Sequence, residues 1–417
     1  MLDETRSPPL NNVLTTMLVL AVLGPLAAAA GPLPPVKRVE TRPNGLYVNG
    51  KPFFPVGIGW AGHWHYSMPE AGDMGFNLVV THGLKADPPT FRQDIEEAWA
   101  NGMYSACSIG NGVWEDLELL ERIILDCRDH PGLLVWELED EPNHPNNPYR
   151  FPPEKFEPIY ELIKRLDPVH PVWINLAVGR LKDHQDYAHI ADIHSDNYYP
   201  VPVASVTGVA GFADSIIQGS GKTGWQWIQM CPLQEKPHNQ APTITEVRCM
   251  TYMAIAHGIS GINYFAFHYM GKDWTWWVTD NPAACAQWAD LTAELKGLTS
   301  YLVSPQAPGE LKTEITEGEA SALHLSLRKT ATGYFLIAVN GTISPVKARF
   351  TVPVPEQGFA PEAAVRSENR LMTVTDGVFE DSFAPHEVHL YELPYSIDGA
   401  PDRNTIDWPK WQRRPRR

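Results

Sequence analysis

Between residues 53 and 267 short apolar runs alternate with longer stretches whose apolar positions recur every three and four residues. Runs of the first kind suit buried strands and stretches of the second suit amphipathic helices. Taken in order, the runs predict eight strands: Phe53–Ile58, Asn77–Thr81, Met103–Ser108, Leu133–Leu138, Val172–Leu176, Ile193–Asn197, Gly224–Gln229 and Gly261–Phe267. Segments such as PPTFRQDIEEAWANG, WEDLELLERIILDCRDH, PPEKFEPIYELIKRLD and TEVRCMTYMAIAHG supply the helices between them, several stopped at Gly or at a His-Pro or Asp-Pro step. Such repeated strand–helix alternation predicts a parallel sheet, and eight repeats predict a closed (β/α)8 TIM barrel. Ahead of it, LYVNGKPFFPVGIG places two β-rich runs around Asn49-Gly50, a hairpin turn. Beyond Tyr301 the pattern shifts to short alternating strands, ALHLSLRK, GYFLIAVN, KARFTVPV and EVHLYELP, as in an antiparallel β-sandwich.

The expected organisation is therefore α/β: a leader at 1–30, a Pro-rich linker at 31–44, the barrel at 45–300, the sandwich at 301–395 and an extended tail at 396–417. With 417 residues, 43% of them hydrophobic, a large barrel and a smaller domain can each bury a core. The apolar stretch 13–30 follows Arg6 and ends in small residues, the form of a signal peptide, so the mature chain is expected outside the cytoplasm, secreted or periplasmic. Asp3 and Glu4 are unusual in such a leader and leave an uncleaved anchor as the alternative. No later stretch is apolar enough to span a bilayer, so no stable membrane insertion is expected after cleavage. A net charge of −16 argues against nucleic acid as partner, because phosphate contacts need clustered Lys and Arg; only the terminal run at 413–417 is basic.

Barrel enzymes carry their working groups where strands end. Here those ends hold Trp60, His63, Trp64, His65 and Tyr66 after strand one, and His82 after strand two. Strand four closes on Glu139, Asp140, Glu141 and Asn143; strand six on His194, Asp196, Asn197, Tyr198 and Tyr199. Strand seven ends at Gln229, and strand eight is followed by His268, Tyr269, Asp273, Trp274, Trp276 and Trp277. Aromatic faces stack on sugar rings while carboxylates and amides bind hydroxyls, so the mixture points to a carbohydrate partner. Trp60, His63, His82, Glu139, Asp140, Asn143, Tyr198, Gln229, His268 and Trp274 are the candidate substrate-binding residues.

The run WELEDEPN at 136–143, with NGKPFFPVGIG at strand one, HSDNYYP at strand six and AHGISGINYFAFH before strand eight, resembles the large clan of barrel glycoside hydrolases. In that clan an Asn-Glu-Pro or Asp-Glu-Pro step ending strand four carries the general acid/base. The resemblance spans roughly residues 45–300 and implies hydrolysis of O-glycosidic bonds in an extracellular poly- or oligosaccharide, with Glu141 as proton donor and no cofactor. Burial or the neighbouring acids Asp140 and Glu139 would hold its proton near neutral pH. The plainer reading of Glu141 is a carboxylate favouring a helix N-terminus.

The chain departs from the clan at strand seven, where a retaining enzyme would place a nucleophilic Glu and this one has Gln229. Three explanations stay open. Another acid acts, Asp196 first, with Glu139, Glu235 and Glu246 behind it; or Gln229 orients water or a substrate amide; or the barrel only binds glycans. The cluster His63, His65, His82, His194 and His268 also raises a metal site, but no HExxH or Cys/His framework accompanies it, and none is expected. Walker, dinucleotide and serine-elbow motifs are absent. The five cysteines form no CxxC pair, with a Cys231–Cys249 bridge left open, and Asn340-Gly-Thr is a glycosylation sequon.

Overall fold

A computed structural model describes residues 33–59, 67–82, 87–148, 150–177, 179–234, 239–354, 358 and 362–394. The leader, the tail, Trp60, His63 and Glu235 lie outside them. Strands β1 (Val39–Arg42), β2 (Gly45–Val48) and β3 (Lys51–Phe53) form a small antiparallel sheet. Its β2–β3 turn has φ of +53° at Asn49 and +77° at Gly50, the left-handed pair that a two-residue hairpin needs.

Eight parallel strands then close a barrel: β4 (Val56–Ile58), β5 (Leu78–Thr81), β6 (Tyr104–Ser108), β7 (Leu133–Asp140), β8 (Val172–Leu176), β9 (Ile193–Tyr198), β10 (Thr223–Gln229) and β11 (Ile262–Phe265). Helices α1 (Met68–Asp73), α2 (Pro88–Ala100), α3 (Leu117–Cys127), α4 (Glu157–Leu166), α5 (Leu181–Tyr187), α6 (Gly208–Ser220), α7 (Ile244–Ala256) and α8 (Pro282–Gly297) follow the successive strands, and short α9 (Thr299–Leu302) ends the series. The strands lie where the apolar runs place them. A hairpin of β12 (His268–Met270) and β13 (Thr275–Trp277) extends from the end of β11.

Inside the barrel, Leu78, Val80, Tyr104, Ala106, Leu134, Val135, Trp173, Ile193, Trp225 and Trp227 pack together. Alternate residues face the helices: Trp136, Leu138, Ile174 and Leu176 join the cluster formed with α3 and α4. Gly57 and Gly59 leave the interior room, since a Cβ there would strike Asn263 or Trp227.

The remaining strands, β14 (Lys312–Glu317), β15 (Leu323–Lys329), β16 (Gly333–Asn340), β17 (Val346–Thr351), β18 (Glu362–Val365), β19 (Arg370–Thr373), β20 (Val378–Phe383) and β21 (Val388–Pro394), form antiparallel sheets ordered β14-β17-β20 and β15-β16-β21-β18-β19. A core including Leu336, Phe350, Val365, Phe379 and Tyr391 fills the space between them. Buried Arg328 anchors this sandwich to the barrel, donating to the carbonyls of Ile255, Leu302 and Ser304. Asn340 is also buried and donates to Ser344 and Ala384, so the sequon's acceptor nitrogen is enclosed. All five cysteines are free, Cys231 and Cys249 included. Among the described residues no helix is long and apolar enough to cross a membrane.

Candidate active site

The chemistry gathers where β7 ends. In its pairing with β8, Glu137 lies opposite Trp173 but Asp140 lies opposite Asn175, so three steps on β7 match two on β8. Such a bulge changes which residues face inward. Simple alternation from Glu137 would send Asp140 outward; the bulge sets it beside inward-facing Asn175. Glu141 then takes a φ of +51°, a left-handed conformation costly for a residue with a Cβ and often met at functional sites. Its N–H donates to the Asn175 carbonyl at 2.9 Å. Asn147 Nδ2 donates to the carbonyls of Asp140 at 2.6 Å and Glu141 at 3.1 Å.

Four carboxylates on this strand end meet four environments. Glu137 lies deepest, buried and reached by the Ser108 hydroxyl; burial first, then the Asp140 charge, pushes it up to about 8, so it is neutral at pH 7. Glu139 is buried against the next loop, where Trp114 Nε1 donates to it at 2.7 Å and the Asn111 and Gly112 N–H groups also point at it; burial still raises it. Asp140 opens to solvent at the mouth and accepts from Asn175 Nδ2 at 2.7 Å. The surrounding protein and the Glu141 charge push it up to about 6. Glu141, half-buried, accepts a hydrogen bond from Asn197 Nδ2.

A polar chain beneath the mouth fixes the Asp140 partner. Trp173 Nε1 donates to Ser195 Oγ at 2.8 Å, and Ser195 Oγ donates to Asn175 Oδ1 at 2.7 Å, which turns the Asn175 amide nitrogen towards Asp140. Above it, Tyr199 stacks on Phe265 with centroids 5.4 Å apart and planes 20° from parallel. Phe265 also meets Trp227 at 6.3 Å and Tyr269 at 6.3 Å, and Tyr269 meets Trp274 at 5.5 Å. Aromatic surface thus runs from the barrel floor to the β12–β13 hairpin. Burial, with Asp140 and Glu141 nearby, pushes the Tyr199 hydroxyl well above its usual range.

The expected residues distribute unevenly around this centre. Glu139, Asp140 and Glu141 share the β7 end, and Trp274 extends the aromatic surface. Asp196 does not join them. It alternates with inward Ile193 and Ser195, is 0% exposed, and accepts from Gly179 N at 2.8 Å and pairs with His184 Nε2 of α5 at 3.1 Å. Its carboxylate is thus bound into the helix layer, which corrects the expectation of a catalytic role, and Asn197 holds the position beside Glu141. His194 faces the same layer, 3.4 Å from His184.

Gln229 is also 0% exposed and fully engaged: Oε1 accepts from Val201 N at 2.8 Å, and Nε2 donates to Val201 O at 2.9 Å and Cys231 O at 3.1 Å. It fixes the loop after β9 rather than offering its amide to substrate. Asn143 clamps Ala177 through both its N–H and its carbonyl, and Tyr198 packs on Phe212 of α6 with its hydroxyl on Ser205 O. Glu246 completes a capping box with Thr243 at the start of α7. His268 is buried and stacked on Trp277 at 4.5 Å, and His82 is half-buried after β5. Among the described residues no three His, Cys, Asp or Glu side chains are grouped to hold a metal ion. Sequence reasoning passes over Asn175 and marks Asn197 and Tyr199 only by their strand-end position; the neighbouring side chains reveal which face is inward.

Comparison with known proteins agrees with this architecture. A family model described as beta-galactosidase, of the glycoside hydrolase 42 group, matches residues 153–272. No curated protein matches. The beta-galactosidase from Bacillus circulans sp. alkalophilus superposes with a TM-score of 0.58 at 9% identity, covering 82% of this chain and 99% of that one. An alpha-amylase from Geobacillus thermoleovorans, solved with acarbose, gives 0.54 at 9% identity over 85% of this chain and 94% of its own. This chain therefore has the barrel-plus-sheet fold of glycoside hydrolases and carries a glycoside hydrolase family match across the segment from α4 to β12.

Proposed function

We propose that the protein hydrolyses O-glycosidic bonds of an extracellular poly- or oligosaccharide, with Glu141 as general acid/base. The observation that carries this is the end of β7: a bulge and a left-handed Glu141 bring two carboxylates to the barrel mouth beneath an aromatic stack. Glu141 keeps one carboxylate oxygen on Asn197, which leaves the other to exchange a proton with the glycosidic oxygen. The apolar segment 13–30 supports the extracellular setting.

The test is sugar release from a panel of plant, algal and microbial glycans by the parent and by Glu141→Gln. Release that falls about 10²-fold or more in the variant supports the assignment. Release unaffected by the substitution sinks it. The second reading, a glycan-binding protein without hydrolysis, draws on Gln229, whose buried amide stands where the clan's nucleophile is expected. Retained binding with no release from any glycan would favour it.

A further inference from the structure

Hydrolysis with retention needs a nucleophile on the face of the sugar opposite the leaving group, and two enzyme carboxylates doing this work stand about 5–5.5 Å apart across the ring. Here the mouth carboxylates are consecutive residues of one strand end and approach from one wall. Across the barrel, among the described residues, β10 and β11 end in Gln229 and Phe265 and β4 is followed by Gly59, none of which carries a carboxylate. Gln229 is engaged on all its polar atoms and Asp196 lies behind the barrel wall, so neither reaches a sugar.

We infer that the nucleophile comes from the substrate: the site suits a 2-acetamido-2-deoxy glycoside, with Asp140 receiving the amide N–H while Glu141 serves the glycosidic oxygen. This rests on the reading of Glu141 as acid/base. The carbonyl oxygen of the acetamido group attacks C1, the bond from C1 to the leaving oxygen breaks, and Glu141 gives that oxygen its proton. Positive charge spreads onto the amide nitrogen of the resulting oxazolinium ring, whose N–H points at Asp140. Water then adds at C1, Glu141 takes back its proton, and the ring opens to the acetamido sugar.

Asp140 is held for that task. One oxygen is occupied by Asn175, whose orientation the Trp173–Ser195 chain fixes, and the other remains an acceptor open to the mouth. Its backbone is tied by Asn147. A preorganised acceptor aimed where positive charge develops stabilises the transition state more than the ground state. The ordinary role of a carboxylate at this place, contact with a sugar hydroxyl, would not account for the described strand ends across the barrel carrying no acid. The Tyr199–Phe265 stack gives an apolar surface against which a methyl group can rest.

The test uses the purified full chain and paired aryl glycosides, gluco and galacto, both anomers, differing only in 2-acetamido against 2-hydroxyl. Cleavage confined to the acetamido series is expected, as is a fall of about tenfold or more in kcat/KM when the acetyl group is trifluorinated, because the carbonyl oxygen becomes a poorer nucleophile. Asp140→Asn should lower kcat about 10²-fold with KM little changed. A thiazoline isostere of the oxazoline, titrated by calorimetry, should bind the parent and lose at least about tenfold in Asp140→Ala, a readout independent of turnover. Equal cleavage of the hydroxyl series, or indifference to fluorination, overturns the inference while leaving Glu141 as acid/base intact. The inference falls in the same way if Glu235→Gln or Asp273→Asn abolishes turnover that Asp140→Asn spares. Activity indifferent to Glu141→Gln overturns the parent reading and this one together.

Discussion

Replacing Gln229 by Glu would restore, on paper, the acid that a retaining barrel enzyme carries on strand seven. The structure predicts damage instead. Gln229 Nε2 supplies hydrogen bonds to the carbonyls of Val201 and Cys231 in a fully enclosed site. A protonated Glu can donate only one of these, leaving one buried carbonyl unsatisfied at about 1–3 kcal/mol. An ionised Glu would face both carbonyls with negative charge, so burial and repulsion raise its folded pKa above an unfolded value of about 4.3. The folded state then holds a proton that the unfolded state releases, and stability falls as pH rises from the unfolded pKa through the folded one. A rise of about two to three units adds roughly 3–4 kcal/mol of loss above the folded pKa. Denaturant midpoints of parent and variant at pH 5 and pH 8 read this directly: a modest deficit at pH 5 should deepen at pH 8. A variant as stable as the parent at pH 8, or one that gains hydrolysis, would refute the assignment of Gln229 as a buried brace.

Four further outcomes are expected. Asp196→Ala, which strands the Gly179 and Asn197 N–H groups and His184, should cost about 2–4 kcal/mol by denaturant melt while turnover of the folded enzyme stays within a few-fold; abolished turnover at unchanged stability would return Asp196 to the chemistry. Asn175→Ala removes the donor that lowers Asp140, so the acid limb of kcat/KM should move upward by about one unit from near pH 6; an unmoved limb would detach Asp140 from activity. Glu137, raised to about 8 by burial, costs stability as pH rises from its unfolded pKa to about 8, so Glu137→Gln should hold its melting temperature across that window better than the parent. Arg328→Met leaves the carbonyls of Ile255, Leu302 and Ser304 without their donor, and proteolysis between residues 302 and 312 should quicken; unchanged cleavage would show that the anchor is dispensable.

The architecture is legible because barrel strands are buried on both faces and announce themselves as apolar runs, and the C-terminal strands by two-residue alternation. The position of each strand end follows. The direction of each side chain does not, for two physical reasons. A bulge inserts one residue without a mark in the hydrophobic pattern, and it moves Asp140 from the outward to the inward set. At β9 both faces are polar near the lip, so His194 and Asp196 look as suitable for the mouth as Ser195 and Asn197 until Ile193 packs inside and His184 of α5 meets Asp196 on the other face. Gln229 misleads in another way. Its place at the strand end agrees with the apolar pattern, but its purpose depends on the backbone of a loop 28 residues earlier.

Four acids within five positions would be costly if they shared one environment, and the fold separates them. Glu137 escapes repulsion by staying neutral inside the barrel, and Glu139 is anchored to Trp114 on the neighbouring loop, so neither needs to be charged beside substrate. That leaves Asp140 and Glu141, each with one amide donor from the adjoining strands, Asn175 and Asn197, and each with one oxygen uncommitted to that donor. A like charge at the same mouth makes a carboxylate harder to ionise, and Asp140 lies beside that of Glu141. The Asp140 shift towards 6 comes first from the surrounding protein and then from the Glu141 charge beside it, so removing that charge in Glu141→Gln should bring Asp140 back towards its ordinary range.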